Sequence, residues 1–105
     1  MTVTTFDRIA IKNALHAGAD SFNVYYAGEC DQGYLENRME NLRDSVAGLT
    51  VAEAREWLEA AYEQQCENIC MGEAVGAPEY QLDRDEMFSQ LTLFVIDFLP
   101  EPQAV

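Results

Sequence analysis

The sequence predicts a mainly α-helical protein, a small single-domain bundle of three to four helices within residues 1–105. Two observations predict this fold. Apolar residues recur at helical spacing over long stretches, and residues that favour helix N-termini stand directly before them. The clearest stretch is Thr50 to Met71, whose predicted buried face is formed by Val51, Leu58, Tyr62 and Ile69.

The long central helix has predicted boundaries at both ends. Thr50 precedes the apolar pattern and Glu53 follows three residues later, which is the spacing of a capping box. Gly72 comes directly after the pattern, where a left-handed cap would end the helix. A second helix is predicted from Tyr34 to Ala47 and ends at Gly48, with an apolar seam of Leu35, Met39, Leu42 and Val46.

The N-terminal region is predicted to form one helix and to contain the best strand candidate. The helix runs from Thr5 to Ala17, and Gly18 supplies its stop. In Ser21 to Tyr26, apolar and polar side chains alternate, as they do in a half-buried strand. A short strand pair there would make the protein an α+β variant, and a helix or an ordered loop remains an equal alternative. Gly28 to Gly33 is predicted to be a loop.

The C-terminal helix is predicted to begin near Asp83, because Glu86 lies three residues later in the capping-box pattern. Glu73 to Leu82 is then a loop, and Pro100 ends the helix. The helix is apolar around most of its circumference, which is typical of a helix surrounded on all sides. We therefore expect it to form a homodimer interface, with interface residues Met87, Phe88, Leu91, Phe94, Val95 and Phe98. The alternative is that part of this segment forms a buried strand.

The charge of the chain restricts its function. Nineteen acidic and six basic residues give a formal net charge of −13 and a pI near 4.1. Such a chain repels nucleic acid and anionic membranes, so we expect a basic protein as its partner and no direct contact with either. We expect no secretory signal, and we expect the three cysteines to be free thiols rather than a disulfide framework. We expect a soluble cytoplasmic protein.

The most distinctive candidate site is a row of carboxylates opposite the buried face of the central helix. Here a single Arg55 interrupts the glutamates, and Lys12 is the only lysine in the chain. The alternative is an ordinary solvated helix face. Trp57 lies off the centre of the apolar stripe and is a candidate anchor for a partner. The predicted partner-binding residues are Glu53, Glu56, Glu59, Glu63, Glu67 and Trp57, with Glu36 and Glu40 on the second helix.

The sequence patterns that could indicate metal binding or catalysis are weak. Cys66 and Cys70 lie four residues apart, but Cys30 and His16 do not complete a regular zinc pattern, so we expect no metal. His16 fits the last turn of the first helix, where a cation is favoured. No catalytic or phosphate-binding motif occurs, and we expect neither enzyme activity nor a cofactor.

In size, acidity and lack of catalytic motifs the chain resembles phage anti-defence proteins, including some anti-CRISPR proteins. The resemblance is one of composition. It implies binding to a basic nucleic-acid channel in an effector complex, with the glutamate row standing in for phosphates. If the protein is phage-encoded, the resemblance places it in the host cytoplasm. The alternative function is a small helical adaptor or assembly protein that binds through its apolar surface.

Overall fold

The computed structural model describes residues 2–26 and 31–100, and these form a helical bundle without a strand. The predicted fold class is confirmed. The bundle is elongated, with dimensions of 46 × 27 × 21 Å. Its four helices are α1 (Thr5–Tyr26), α2 (Gln32–Val46), α3 (Val51–Ala74) and α4 (Glu79–Phe98).

The centre of the bundle is α4, against which α1 and α3 each pack along much of their length. The contact with α2 runs through side chains: the Tyr34 hydroxyl donates to the Arg84 carbonyl at 2.8 Å, and the Arg38 guanidinium lies 4.5 Å from the centre of the Phe88 ring. The surroundings that the apolar sequence of α4 requires are therefore supplied by helices of the same chain. The most deeply buried large side chains are Phe22, Leu42, Leu58, Leu91, Val46 and Val95.

The prediction that Gly18 ends the first helix is wrong, because α1 continues for eight more residues to Tyr26. A Cβ atom on Gly18 would lie 2.6 Å from Val95 Cγ2 and 2.9 Å from the Val95 backbone. Glycine is needed here for the close approach of α1 to α4, and its role is one of packing. The helical backbone tolerates it at a cost of about 1 kcal/mol.

The strand prediction for Ser21 to Tyr26 is also wrong. These residues are the last turns of α1, where Phe22 is 1% exposed and Val24 is 81% exposed. A strand with period two would have buried both. Instead Phe22 and Tyr26, one helical turn apart, bring their ring centroids within 4.6 Å.

The third helix ends at Ala74, beyond the predicted stop at Gly72. Gly76 has the left-handed conformation instead, with φ of 73°. The backbone N–H of Ala77 donates to the Gly72 carbonyl and that of Gly76 donates to the Glu73 carbonyl, which is a Schellman motif. Gly72 lies inside the helix, where a Cβ would be 2.9 Å from Leu82 Cδ2.

The helix starts are correct for α3 and wrong for α4. Thr50 and Glu53 form the predicted capping box. The last helix begins at Glu79, so no capping box forms at Asp83, and most of the predicted loop is helical. In α2, Asp31 Oδ1 accepts a hydrogen bond from the Gly33 N–H at 2.8 Å, which starts the helix inside the predicted loop. Residues 28–30 of that loop lie outside the described residues.

Candidate acidic interaction surface on α3

The first carboxylate of the predicted row, Glu53, is a structural group of α3. Its Oε1 accepts a hydrogen bond from the Thr50 N–H at 3.1 Å, and its own N–H donates to Thr50 Oγ1 at 3.2 Å. The bond from the Thr50 backbone, followed by the Thr50 side chain, lowers the pKa of Glu53 below its ordinary value of 4.5. Its charge is thus held at the helix N-terminus, where the helix dipole favours it.

A second carboxylate, Glu59, is paired within the chain. Its Oε1 lies 3.7 Å from Arg55 Nη1, one turn earlier in α3. The other terminal nitrogen, Arg55 Nη2, donates to the carbonyl of Leu99 at 2.9 Å and to that of Pro100 at 3.2 Å. Arg55 therefore joins α3 to the end of α4, and Glu59 lies at the exposed edge of that connection.

The remaining three carboxylates form what we call the acidic line: Glu56, Glu63 and Glu67, all exposed. In the described residues none of the three accepts a hydrogen bond or forms an ion pair. By helix geometry they lie within about 40° of one another around α3 and span about 16 Å along it. The line faces away from Leu58, which lies on the buried side of α3. The rigid helix therefore fixes the direction of all three charges.

Trp57 lies beside the acidic line and is 40% exposed. It is one turn after Glu53 and presents an aromatic surface next to carboxylates. Glu36 and Glu40 are exposed too, but they belong to α2 and line a hollow between α1 and α2. The predicted partner-binding residues therefore divide into a set on α3 and a pair on α2.

No protein-family model, curated protein or solved structure matches the chain. Its function is therefore inferred from its own residues and their arrangement.

The residues predicted for a homodimer interface differ widely in exposure. Leu91 and Val95 are each 1% exposed and are packed inside one copy of the chain, so they offer no surface to a second copy. Phe98 is 48% exposed. The other three, Met87, Phe88 and Phe94, are half-buried against the core.

Cys66, Cys70 and His16 are not part of any group of three or more potential metal ligands in the part of the chain that the structure describes. Cys66 is half-buried and Cys70 is exposed, both as free thiols, and Cys30 lies outside the described residues. A hydrogen bond with the Cys66 side chain raises the pKa of Tyr62. Within the described ranges no helix combines the length and the apolar character needed to cross a bilayer.

A group of basic residues that the sequence interpretation passed over lies between α1 and α2. Arg8, Lys12 and His16 line a groove between α1 and α2, together with Arg43. The first three stand four residues apart, so they share one face of a helix. That spacing was present in the sequence, but Arg8 was given no role there, and Lys12 and His16 were interpreted separately.

Proposed function

We propose that the protein is an inhibitor that binds a basic nucleic-acid-binding protein and blocks its nucleic-acid site, in the manner of phage anti-defence proteins of the anti-CRISPR type. The observation that supports it is the acidic line, in which Glu56, Glu63 and Glu67 are exposed, fixed on one face and unpaired within the described chain.

The geometry of the line suits phosphate mimicry. Glu63 and Glu67 are about 6 Å apart along the helix axis, and the whole line spans about 16 Å. Phosphates along one strand of duplex DNA rise about 3.4 Å per residue before their helical path is counted. Lysine and arginine side chains that hold a phosphate backbone can therefore meet two or three carboxylates of α3.

The net charge of −13 adds long-range attraction to a basic partner. Electrostatic steering of this kind raises the association rate and weakens as salt screens the charges. Trp57, beside the line, would add apolar contact area that salt does not weaken.

The test is a pull-down from bacterial lysate that compares three forms of the protein. The first is the wild type, and the second carries Glu56→Lys, Glu63→Lys and Glu67→Lys. The matched control carries Asp20→Lys, Asp44→Lys and Asp83→Lys, which makes the same change in net charge at exposed sites away from the line.

We expect the wild type and the control to retain a nucleic-acid-binding protein that a DNA oligonucleotide displaces, and the Glu→Lys variant to lose it. Retention by the Glu→Lys variant with an unchanged salt dependence would show that the mimicry proposal is wrong.

A second candidate function is a helical adaptor that binds through apolar surface. It is favoured by three exposed apolar side chains around the turn from α3 to α4: Met71 is 63% exposed, Val75 81% and Tyr80 67%. The variant Met71→Ser with Val75→Ser separates the two functions, because an adaptor would lose its partner and an acidic inhibitor would keep it.

A further inference from the structure

A groove of about 480 Å³ lies between α1 and α2 and is closed at one end by the turn that leads into α3. We call it the α1–α2 groove. Its apolar walls are Ile11 and Leu15 from α1 and Met39 and Val46 from α2. These helices contact each other much less than α1 contacts α4, so the space between them stays open.

The polar groups at this groove are basic. Arg8, Lys12 and His16 come from α1, and Arg43 comes from α2. The chain has only six lysine and arginine residues against nineteen acidic ones. Three of the six therefore line this single groove, in a protein whose surface is otherwise acidic.

The other three basic side chains have structural contacts. Arg55 binds the carbonyls at the end of α4, Arg38 lies over the Phe88 ring, and Arg84 lies 5.8 Å from the centre of the Tyr34 ring. By contrast, the Arg8, Lys12 and Arg43 side chains form no ion pair or hydrogen bond with the described residues. The groove therefore holds the three cationic side chains for which the described residues show neither a hydrogen bond, nor an ion pair, nor an aromatic contact.

The charge changes along the groove. A neighbouring hollow of about 390 Å³ shares Ala19, Met39 and Arg43 with it and is lined by Glu36 and Glu40. The basic end is thus the end nearest the start of α1 and the end of α2. An occupant with one anionic group would be oriented with that group at this end.

We propose that the α1–α2 groove binds a small amphipathic anion, a molecule with an aliphatic body and a single carboxylate or phosphate head. The volume lies within the range of about 300–1,000 Å³ that is usual for small-molecule sites, and the combination of apolar walls with a few polar groups is also usual. Arginine and lysine at the rim are complementary to the head group.

A small occupant fits better than an acidic protein segment. A partner with many negative charges would be repelled by the net charge of −13, which acts over its whole length. A ligand with a single negative charge experiences much less of this electrostatic repulsion than a segment with many. Burial of its aliphatic body at about 25 cal/mol per Å² then supplies most of its affinity.

The test is titration of the isotope-labelled protein with decanoate, decyl phosphate and decyltrimethylammonium, each below its micelle concentration. Binding is measured from the shifts of backbone amide resonances in NMR spectra. We expect both anions to shift resonances of α1 and α2, and the cation, which has the same chain, to bind at least about tenfold more weakly. The stronger of the two anions identifies the head group.

Two variants and a control locate the site. Lys12→Gln with Arg43→Gln should weaken decanoate binding by about tenfold or more. Ala47→Trp, at an exposed position of the rim, should block it, whereas Arg84→Gln removes one cation outside the groove and should leave it unchanged.

Equal binding of the cation and the anions would overturn the proposal. So would shifts confined to α3 and α4, or the absence of any shift with folded protein at millimolar ligand. Displacement of decanoate by an acidic peptide that binds more tightly would mean that a protein segment is the occupant and would overturn it as well.

Discussion

Asp7 Oδ1 accepts a hydrogen bond from the backbone N–H of Val51 at 3.0 Å, although the two residues lie 44 positions apart. Its other oxygen, Oδ2, accepts from the Thr4 N–H at 2.9 Å and so caps α1. One carboxylate therefore satisfies N–H groups at the start of two helices, α1 and α3. It fixes these two N-termini side by side.

The hydrogen bonds of Asp7 make stability depend on pH. The bond from the Thr4 backbone, then that from Val51, lowers the pKa of Asp7 below its ordinary value of 3.8. The unfolded state therefore binds the proton more readily, and the stabilisation is present above about pH 4 and is lost as pH falls through the lowered pKa. Glu53 adds a contribution of the same sign.

We expect Asp7→Asn to lower the free energy of unfolding at neutral pH, and its difference from the wild type to shrink below about pH 4. Urea unfolding at several pH values measures this. Asp20→Asn is the control, because it removes one exposed charge that has no hydrogen bond in the described chain. A difference that is constant over pH would contradict this role for Asp7.

The close approach of α1 to α4 predicts that Gly18→Ala destabilises the protein. The new Cβ would meet Val95 backbone atoms at 2.9 Å, and backbone cannot rotate away, so the helices must separate. We expect a loss of about 1–3 kcal/mol from overpacking, reduced by alanine's helix propensity. Chemical denaturation gives the value.

Gly72→Ala is the matched control for this substitution. Its Cβ would meet the tip of the Leu82 side chain, which can change rotamer. The loss should be smaller than at Gly18, and equal losses at the two positions would show that the close approach is not the cause.

The hydrogen bonds of Arg55 predict that its substitution destabilises the end of α4. Arg55→Met keeps the apolar stem and removes the hydrogen bonds to the Leu99 and Pro100 carbonyls. Because the donor is charged, we expect a loss of about 1.5–3 kcal/mol. Faster amide hydrogen exchange in the last turn of α4 would accompany it.

Glu59→Gln separates the ion pair from these bonds. The pair with Arg55 is at the surface, and such pairs contribute about 0–1 kcal/mol. A loss from Glu59→Gln as large as that from Arg55→Met would assign the stabilisation to the pair instead.

The acidic line predicts that one removal of charge stabilises the protein. Glu63 has glutamates four residues away on both sides, Glu59 and Glu67, and each like-charged pair costs about 0.2–0.5 kcal/mol. We expect Glu63→Gln to raise the free energy of unfolding by up to about 1 kcal/mol in low salt, with a smaller gain in high salt.

The comparison for Glu63→Gln is Asp20→Asn, because Asp20 has no acidic residue three or four positions away. If both substitutions give the same gain, the effect belongs to the net charge of the chain rather than to the line.

The fold class was predictable because it depends on local patterns. The periodic seam of α2 and the capping box of α3 were interpreted correctly, since both depend on residues within a few positions of each other. Gly18 and Gly72 were misinterpreted because their roles depend on Val95 and Leu82 of another helix. The pattern of residues along one helix does not indicate which residue of another helix will contact it.

The candidate site was predictable only in part, for the same reason. Helical spacing placed Glu56, Glu63 and Glu67 on one face. Glu53 and Glu59 are set apart from the line by their own bonds, and of these only the capping box of Glu53 was predicted from the sequence. The α1–α2 groove needs two helices at once, and Arg43 joins Arg8 and Lys12 only after folding.

The central position of α4 has a consequence for the order of events during translation. The helix that completes the core is synthesised after α1, α2 and α3, so a nascent chain that contains only these three exposes the faces of Gly18 and Leu58 that α4 covers. Because the main contacts of α1 are with the helix farthest from it in sequence, closure of the bundle must span most of the chain. Folding is therefore expected to be concerted, and to wait until α4 has emerged from the ribosome.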